Sequence, residues 1–215
     1  MAVRAKICGV NAPVAATAAA EEGAAYIGLV FYPPSPRALT PAEAERLLAQ
    51  IPAGPGRVGL FVDPGDDEIG AVLNGVALDL IQVHGRESPA RVADIRRRFG
   101  VPVIKAISVA REEDLAQAAN YEEVADWLLF DAKAPASSPH RLPGGKGLAF
   151  DWRLMTGCRW RQPWILSGGH DAENVEEAVR VSGAEAVDVS TGVEDQPGNK
   201  NPEKIRAFLR KVRTL

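Results

Sequence analysis

The residues in this chain that could do chemistry are few. Two cysteines, Cys8 and Cys158, lie far apart, too few for a disulfide scaffold or a structural zinc site, so any role for either is as a thiol. A thiol has an ordinary pKa of about 8.5 and serves as a base where nearby cations favour the thiolate. Asp131 offers a carboxyl that can deliver a proton, and Arg37 a planar fork of donors suited to a carboxylate. Gly168-Gly169 and Ser190-Thr191-Gly192 are runs of small residues whose backbone N–H groups can approach an oxyanion closely. His84 and Asp63 add two more titratable groups.

Something must bring these scattered positions together, and the hydrophobic period says what. Short β-branched runs at 5–9, 26–31, 57–62, 78–84, 102–108, 126–131, 163–167 and 185–190 alternate with longer stretches of helical spacing, the pattern of repeated βα units. Apolar stripes at Ala44/Leu47/Leu48/Ile51, Ile69/Val72/Leu73/Val76 and Ile205/Phe208/Leu209/Val212 can each cover a sheet from outside. Thr40-Pro41 with Glu43, Ser88-Pro89 and Asn201-Pro202 read as helix starts, a polar cap followed by proline at the first helical position.

Eight parallel strands, each followed by a helix, can close into a ring with no open edge, so the expected fold is α/β, a single-domain (β/α)8 TIM barrel over 1–215. The alternative is an open doubly wound sheet. That fold would show G-x-G-x-x-G after the first strand, where this chain has Cys8-Gly9-Val10-Asn11. In a barrel the βα loops share the C-terminal face, where chemistry is found. Two such loops are extended, 31–37 after the second strand and 132–147 after the sixth; the latter is expected to close over bound ligand. Cys8, Arg37, Asp63, His84-Gly85, Asp131, Gly168-Gly169 and Ser190-Thr191-Gly192 all fall at or just beyond strand ends on that face. A phosphate site after strands seven and eight is frequent in this fold, which points to a small phosphorylated ligand.

Composition excludes other classes. With 25 Lys+Arg against 28 Asp+Glu the net charge is -3, leaving no global basic field for nucleic acid or anionic lipid. At 46% hydrophobic and 25% charged the chain is ordinary globular material. The start leads into Ile7-Cys8-Gly9 without a signal-peptide core or a membrane span. The expectation is a soluble, cytoplasmic protein with no nucleic-acid or membrane partner, a monomer or homodimer.

Seven motifs in order, Lys6-Ile7-Cys8-Gly9, Ser35-Pro36-Arg37, Gln82-Val83-His84-Gly85-Arg86-Glu87, Leu128-Leu129-Phe130-Asp131, Gly144-Gly145-Lys146-Gly147, Gly168-Gly169 with Asn174-Val175, and Asp188-Val189-Ser190-Thr191-Gly192-Val193-Glu194, resemble the phosphoribosylanthranilate isomerase family of tryptophan biosynthesis. The resemblance spans nearly the whole chain. It implies an Amadori rearrangement of N-(5-phosphoribosyl)anthranilate by general acid–base catalysis, with no cofactor and no metal. It further implies Cys8 as general base, Asp131 as general acid, and Arg37 facing the anthranilate carboxylate. Gly145, Gly168, Gly169, Ser190, Thr191 and Gly192 are the expected phosphate and substrate contacts, with His84 a further candidate. The chain departs from the family pattern at Lys146, where Thr or Ser is usual, at His170, where Leu is common, and at Asn201, where Asp often stands.

Other positions have plainer readings. Cys158 reads as incidental, His140 and His170 as solvated loop residues, and Arg96-Arg97-Arg98 and Glu112-Glu113-Asp114 as exposed helix faces. Asp131 could instead cap a helix or pair with Lys133. Two competing functions are a sister phosphosugar isomerase and a non-catalytic phosphoribosyl-binding barrel. The cysteine at the first strand end disfavours the former, since sister isomerases on this fold resemble a paired-aspartate design, and the full set of base, acid and fork disfavours the latter.

Overall fold

The computed structural model describes residues 2–51, 54–133 and 150–215. Eight parallel strands close in chain order: β1 (Arg4–Cys8), β2 (Tyr26–Val30), β3 (Gly56–Phe61), β4 (Leu80–Val83), β5 (Val103–Val109), β6 (Trp127–Ala132), β7 (Trp164–Leu166) and β8 (Ala186–Val189). The last pairs back onto the first, with Lys6 opposite Asp188 and Ile7 opposite Val189. Each expected strand is present to within two residues at its ends.

Helices cover the outside: α1 (Pro13–Glu21), α2 (Pro41–Leu48), α3 (Asp66–Leu73), α4 (Pro89–Phe99), α5 (Glu112–Leu115), α6 (Val175–Ser182) and α7 (Pro202–Arg213). The three cap readings hold in detail. Thr40 and Glu43 form a reciprocal capping box, the Ser88 hydroxyl accepts from the Arg91 N–H, and the Asn201 side chain accepts from the N–H groups of Glu203 and Lys204. Ile205, Phe208, Leu209 and Val212 of α7 are all buried, as their stripe requires. Next to α7, α1 buries Ala15, Ala16, Ala18 and Ala19, side chains small enough for close approach. Glu22, just past α1, accepts from Arg210 and Arg213, joining the first helix to the last.

Two units depart from strand-then-helix. After β5 the helix is a single turn that continues as a 3-10 segment over Ala116–Asn120, and the segment before β7 that is described holds a 3-10 turn, Trp152–Met155, capped by Asp151. Here aromatic packing covers the sheet instead. Phe130 lies 5.1 Å from the Trp160 ring centroid and 5.9 Å from that of Trp164. Glu112-Glu113 are exposed as expected but Asp114 is buried: its carboxylate accepts the Ala110 N–H and the Lys133 ammonium. Lys133 is therefore committed to Asp114 and does not pair with Asp131.

The barrel interior is graded along its axis. Strand residues alternate between faces, and the series Val58, Leu80, Ile104, Leu129, Ile165 and Ala186 forms an apolar plug near the N-terminal ends. One step further along, the same alternation brings Lys6, Gln82, Asp131, Ser167 and Asp188, all buried and all polar. Burial of polar groups is tolerable only where they are hydrogen-bonded, so this layer has to be a connected network.

After β8 the chain makes a small antiparallel hairpin, β9 (Glu194–Gln196) with β10 (Asn199–Lys200). Gly198 at its tip has φ +86 and packs so closely on the Pro36 carbonyl that a side chain would not fit, and its own carbonyl accepts from the Asn11 amide at 3.0 Å. The hairpin thus joins the loops after β1, β2 and β8 across one arc of the rim.

Candidate active site

Cys8 is the last residue of β1 and is buried. Gly9 follows at φ +78, where a side chain would overlap the stem of Arg37. This residue therefore has two reasons to be glycine: the backbone conformation and the arginine laid across it. Gly28, opposite Cys8 on β2, clears space in the same way, since a Cβ there would meet the Cys8 Sγ at 3.0 Å and the Lys6 Nζ at 3.3 Å. Lys6 donates to Asp188 at 2.7 Å, and Asp188 also accepts from the Ser167 hydroxyl at 3.0 Å.

Burial pushes the Cys8 thiol up, while Lys6 pulls it down, Asp188 pushes it up and Lys200 pulls it down. Burial wins, so the resting group is a thiol although cations surround it. Lys6 is itself buried, which alone would lower its pKa, but Asp188 and Cys8 hold it above its usual range.

Arg37 sits in the loop after β2 with its fork engaged. Nε and the Nη2 group donate to the two carboxylate oxygens of Glu194, each at 2.7 Å. Glu194 Oε1 also accepts from Lys200 at 2.6 Å, and that ammonium donates as well to the Ser190 carbonyl and hydroxyl at 3.0 and 3.2 Å. Burial would raise the Glu194 carboxyl, yet Arg37 and Lys200 hold it below its ordinary value, whereas burial pushes Lys200 down against Glu194. Among the described residues, Lys6, Arg37 and Lys200 against Asp188 and Glu194 leave one positive charge around Cys8.

Asp131 stands on β6, across the sheet from this group. Its Oδ1 accepts the Ala132 N–H at 2.9 Å, and its Oδ2 lies 3.2 Å from Nε2 of His84. The other ring nitrogen of His84 is 3.0 Å from Nε2 of Gln82. Among the described residues no lysine or arginine pairs with Asp131. Asp63 takes no part in this set. It has φ +47, its N–H donates to Glu87, and its carboxylate accepts the Arg86 N–H, so it shapes the loops after β3 and β4.

The small-residue loops have the features an oxyanion needs. Gly168 and Gly169 both adopt positive φ, +98 and +69, and a side chain at Gly192 would overlap the His170 carbonyl. Among the described residues the backbone N–H groups of Gly168, Gly169, Thr191 and Gly192 donate to nothing outside their own turns. Gly145, with Lys146 and His140, lies outside the described residues, as does most of the loop expected to close over ligand. His170 corrects its reading as solvated. It is 1% exposed, neither ring nitrogen has a hydrogen-bond partner among the described residues, and Trp152 packs on it at 5.5 Å. Burial lowers its pKa to about 4, against the pull of Asp188 and Asp131. No three His, Cys, Asp or Glu side chains among the described residues stand close enough to hold a metal.

Sequence reading therefore found the strand-end groups and missed those beneath them: Lys6, Asp188, Glu194 and Lys200. The signal available was that Lys6, Gln82 and Asp188 are polar positions two residues before Cys8, His84 and Ser190, on the inward series. For Glu194 and Lys200 it was the Pro197-Gly198 turn between two short extended pieces.

Comparison with known proteins gives one consistent answer. The profile of the N-(5'phosphoribosyl)anthranilate (PRA) isomerase family matches residues 5–211. An N-(5'-phosphoribosyl)anthranilate isomerase of Rhodospirillum centenum is 54% identical over 209 residues, covering 97% of each chain. The crystal structure of phosphoribosyl anthranilate isomerase from Thermotoga maritima superposes with a TM-score of 0.86 at 38% identity, covering 99% of this chain and 100% of that one. A structure of such an isomerase in complex with reduced 1-(o-carboxyphenylamino)-1-deoxyribulose 5-phosphate gives 0.82 at 35% identity, with the same coverage.

Proposed function

The chain belongs to the N-(5'-phosphoribosyl)anthranilate isomerase family, and from that membership we propose how its own residues carry the reaction. The protein is an aldose–ketose isomerase of tryptophan biosynthesis that catalyses the Amadori rearrangement of N-(5'-phosphoribosyl)anthranilate to 1-(2-carboxyphenylamino)-1-deoxyribulose 5-phosphate.

In our reading Asp131 is the general acid and Cys8 the general base. Asp131 gives its proton to the furanose oxygen as the C1–O bond breaks, and the nitrogen lone pair becomes a C1=N bond. The ionised fraction of Cys8 then removes the C2 hydrogen; that electron pair forms C1=C2 and nitrogen recovers its lone pair. The O2 hydroxyl of this enolamine loses its proton as C1 gains one, which gives the ketone. No electrons leave the substrate. The iminium formed in the first step lies next to C2 and acidifies the hydrogen that Cys8 removes.

The phosphate is assigned to the N–H groups of Gly168, Gly169, Thr191 and Gly192 and to the Ser190 hydroxyl. Arg37, held in plane by Glu194, is assigned to the anthranilate carboxylate. No helix among the described residues is long and apolar enough to cross a membrane, and we place the enzyme in the cytoplasm.

The observation that carries these assignments is the contrast across one rim among the described residues, a thiol among excess cations on β1 and a carboxyl with no lysine or arginine partner on β6. Anthranilate fluorescence should fall when the purified protein meets freshly made phosphoribosylanthranilate without added metal or nucleotide. Unchanged fluorescence would overturn the activity.

A further inference from the structure

Asp131 is one end of a chain of three side chains. Gln82, inside the barrel on β4, is fully buried, and the side chains of His84 and Asp131 are 8% and 7% exposed. Positions 82 and 84 are two apart and face the same way, so amide and imidazole line up toward Asp131, with contacts of 3.0 and 3.2 Å. Both ring nitrogens are used within the chain.

With His84 neutral, this chain has two hydrogen-bonded settings. If the Gln82 NH2 donates to Nδ1, the ring proton sits on Nε2 and is donated to an ionised Asp131. If the amide is turned over, its carbonyl accepts an Nδ1–H, and the bare Nε2 accepts a proton carried by Asp131. Among the described residues Gln82 Oε1 has no partner, so nothing there beyond His84 pins the amide either way. The two settings differ in one thing that matters to the reaction, which is whether Asp131 holds the proton that ring opening consumes.

Two of the other titratable groups around this chain are occupied. Lys105 on β5 is turned to Glu87 and the Gly85 carbonyl. Asp188 on β8 is held by Lys6 and Ser167. The third, His170 beyond β7, is buried and makes no hydrogen bond to Asp131 or to any other group among the described residues. His84 is thus the sole side chain among the described residues that bonds to the Asp131 carboxyl.

We propose that in the working enzyme the Gln82 carbonyl accepts Nδ1–H of His84, leaving Nε2 to accept from protonated Asp131. Gln82 and His84 are then positioning residues that keep the acid charged with its proton and aimed at the ring oxygen. This rests on the assignment of Asp131 as general acid.

Nitrogen NMR of the full protein with labelled histidine reads the tautomer directly. The expected result is a protonated Nδ1 and an unprotonated, hydrogen-bonded Nε2 for His84. Asp131→Asn, whose amide can still donate to Nε2, should keep that pattern, and Asp131→Ala should lose the Nε2 hydrogen bond. A proton on Nε2 in the wild type would overturn the proposal. In kinetics, His84→Phe should lower kcat about tenfold or more, with KM within a few-fold. An unchanged kcat would also overturn it. If His84→Phe does not fold, the wild-type spectrum decides alone. The spectrum requires no turnover, so absence of isomerase activity would overturn the function without touching the tautomer.

Discussion

Cys8 and Asp131 need opposite surroundings, and both groups act mainly in transition states. Cys8→Ala or Asp131→Ala should therefore lower kcat by roughly 10²–10⁴-fold with KM within a few-fold, measured by steady-state fluorescence. If Cys8→Ala keeps most of its activity, the thiol is a packing residue. His170 gives a prediction of a different kind. With a folded pKa of about 4 against roughly 6.5 in the unfolded chain, the unfolded state alone takes up a proton between these values. Stability is then unaffected above about pH 6.5 and falls as pH drops toward 4, by at most about 3 kcal/mol. His170→Leu should remove this slope in urea unfolding across that window, and identical slopes in both proteins would rule the linkage out. Strand-end groups such as Cys8 and Asp131 were legible because the end of a strand can be read locally. Lys6 and Asp188 were not, because a buried lysine makes sense only beside a partner 182 positions away.

At the scale of elements, the loops after β3 and β4 hang on one buried pair. Glu87 accepts from the N–H groups of Asp63 and Gly85, and its second oxygen meets Lys105 at 2.5 Å. Tyr121 adds a hydroxyl on the Glu87 carbonyl at 2.9 Å. These contacts hold the turn that carries His84, so the pair supports the site without touching it. Lys105→Met should destabilise by about 3–5 kcal/mol, because it leaves a buried carboxylate without its cation. Adding Glu87→Gln should recover part of that loss in denaturant midpoints. A near-neutral single variant would mean that the backbone donors alone suffice for Glu87. Strands and capped helices were legible because period and cap chemistry are local. The shortened helix after β5 and the 3-10 turn before β7 were not, since Trp160 and Trp164 cover Phe130 there by contacts that no period encodes. The hairpin after β8 escaped for a related reason, its two strands being only three and two residues long.

On the scale of the whole molecule, the count of βα units was enough to predict closure, because eight parallel strands meet end to start without an edge. That closure sets a schedule during synthesis. Of the eight strands, the one carrying Lys6 and Cys8 leaves the ribosome first and its partner β8 last. At roughly 5–20 residues per second the wait is on the order of 10–40 s. Throughout it β1 can pair with β2 on one side only, and its other edge, from Arg4 to Ile7, stays open to any extended chain nearby. The thiol that the finished barrel buries is thus exposed to oxidants and to other nascent chains while the protein is being made.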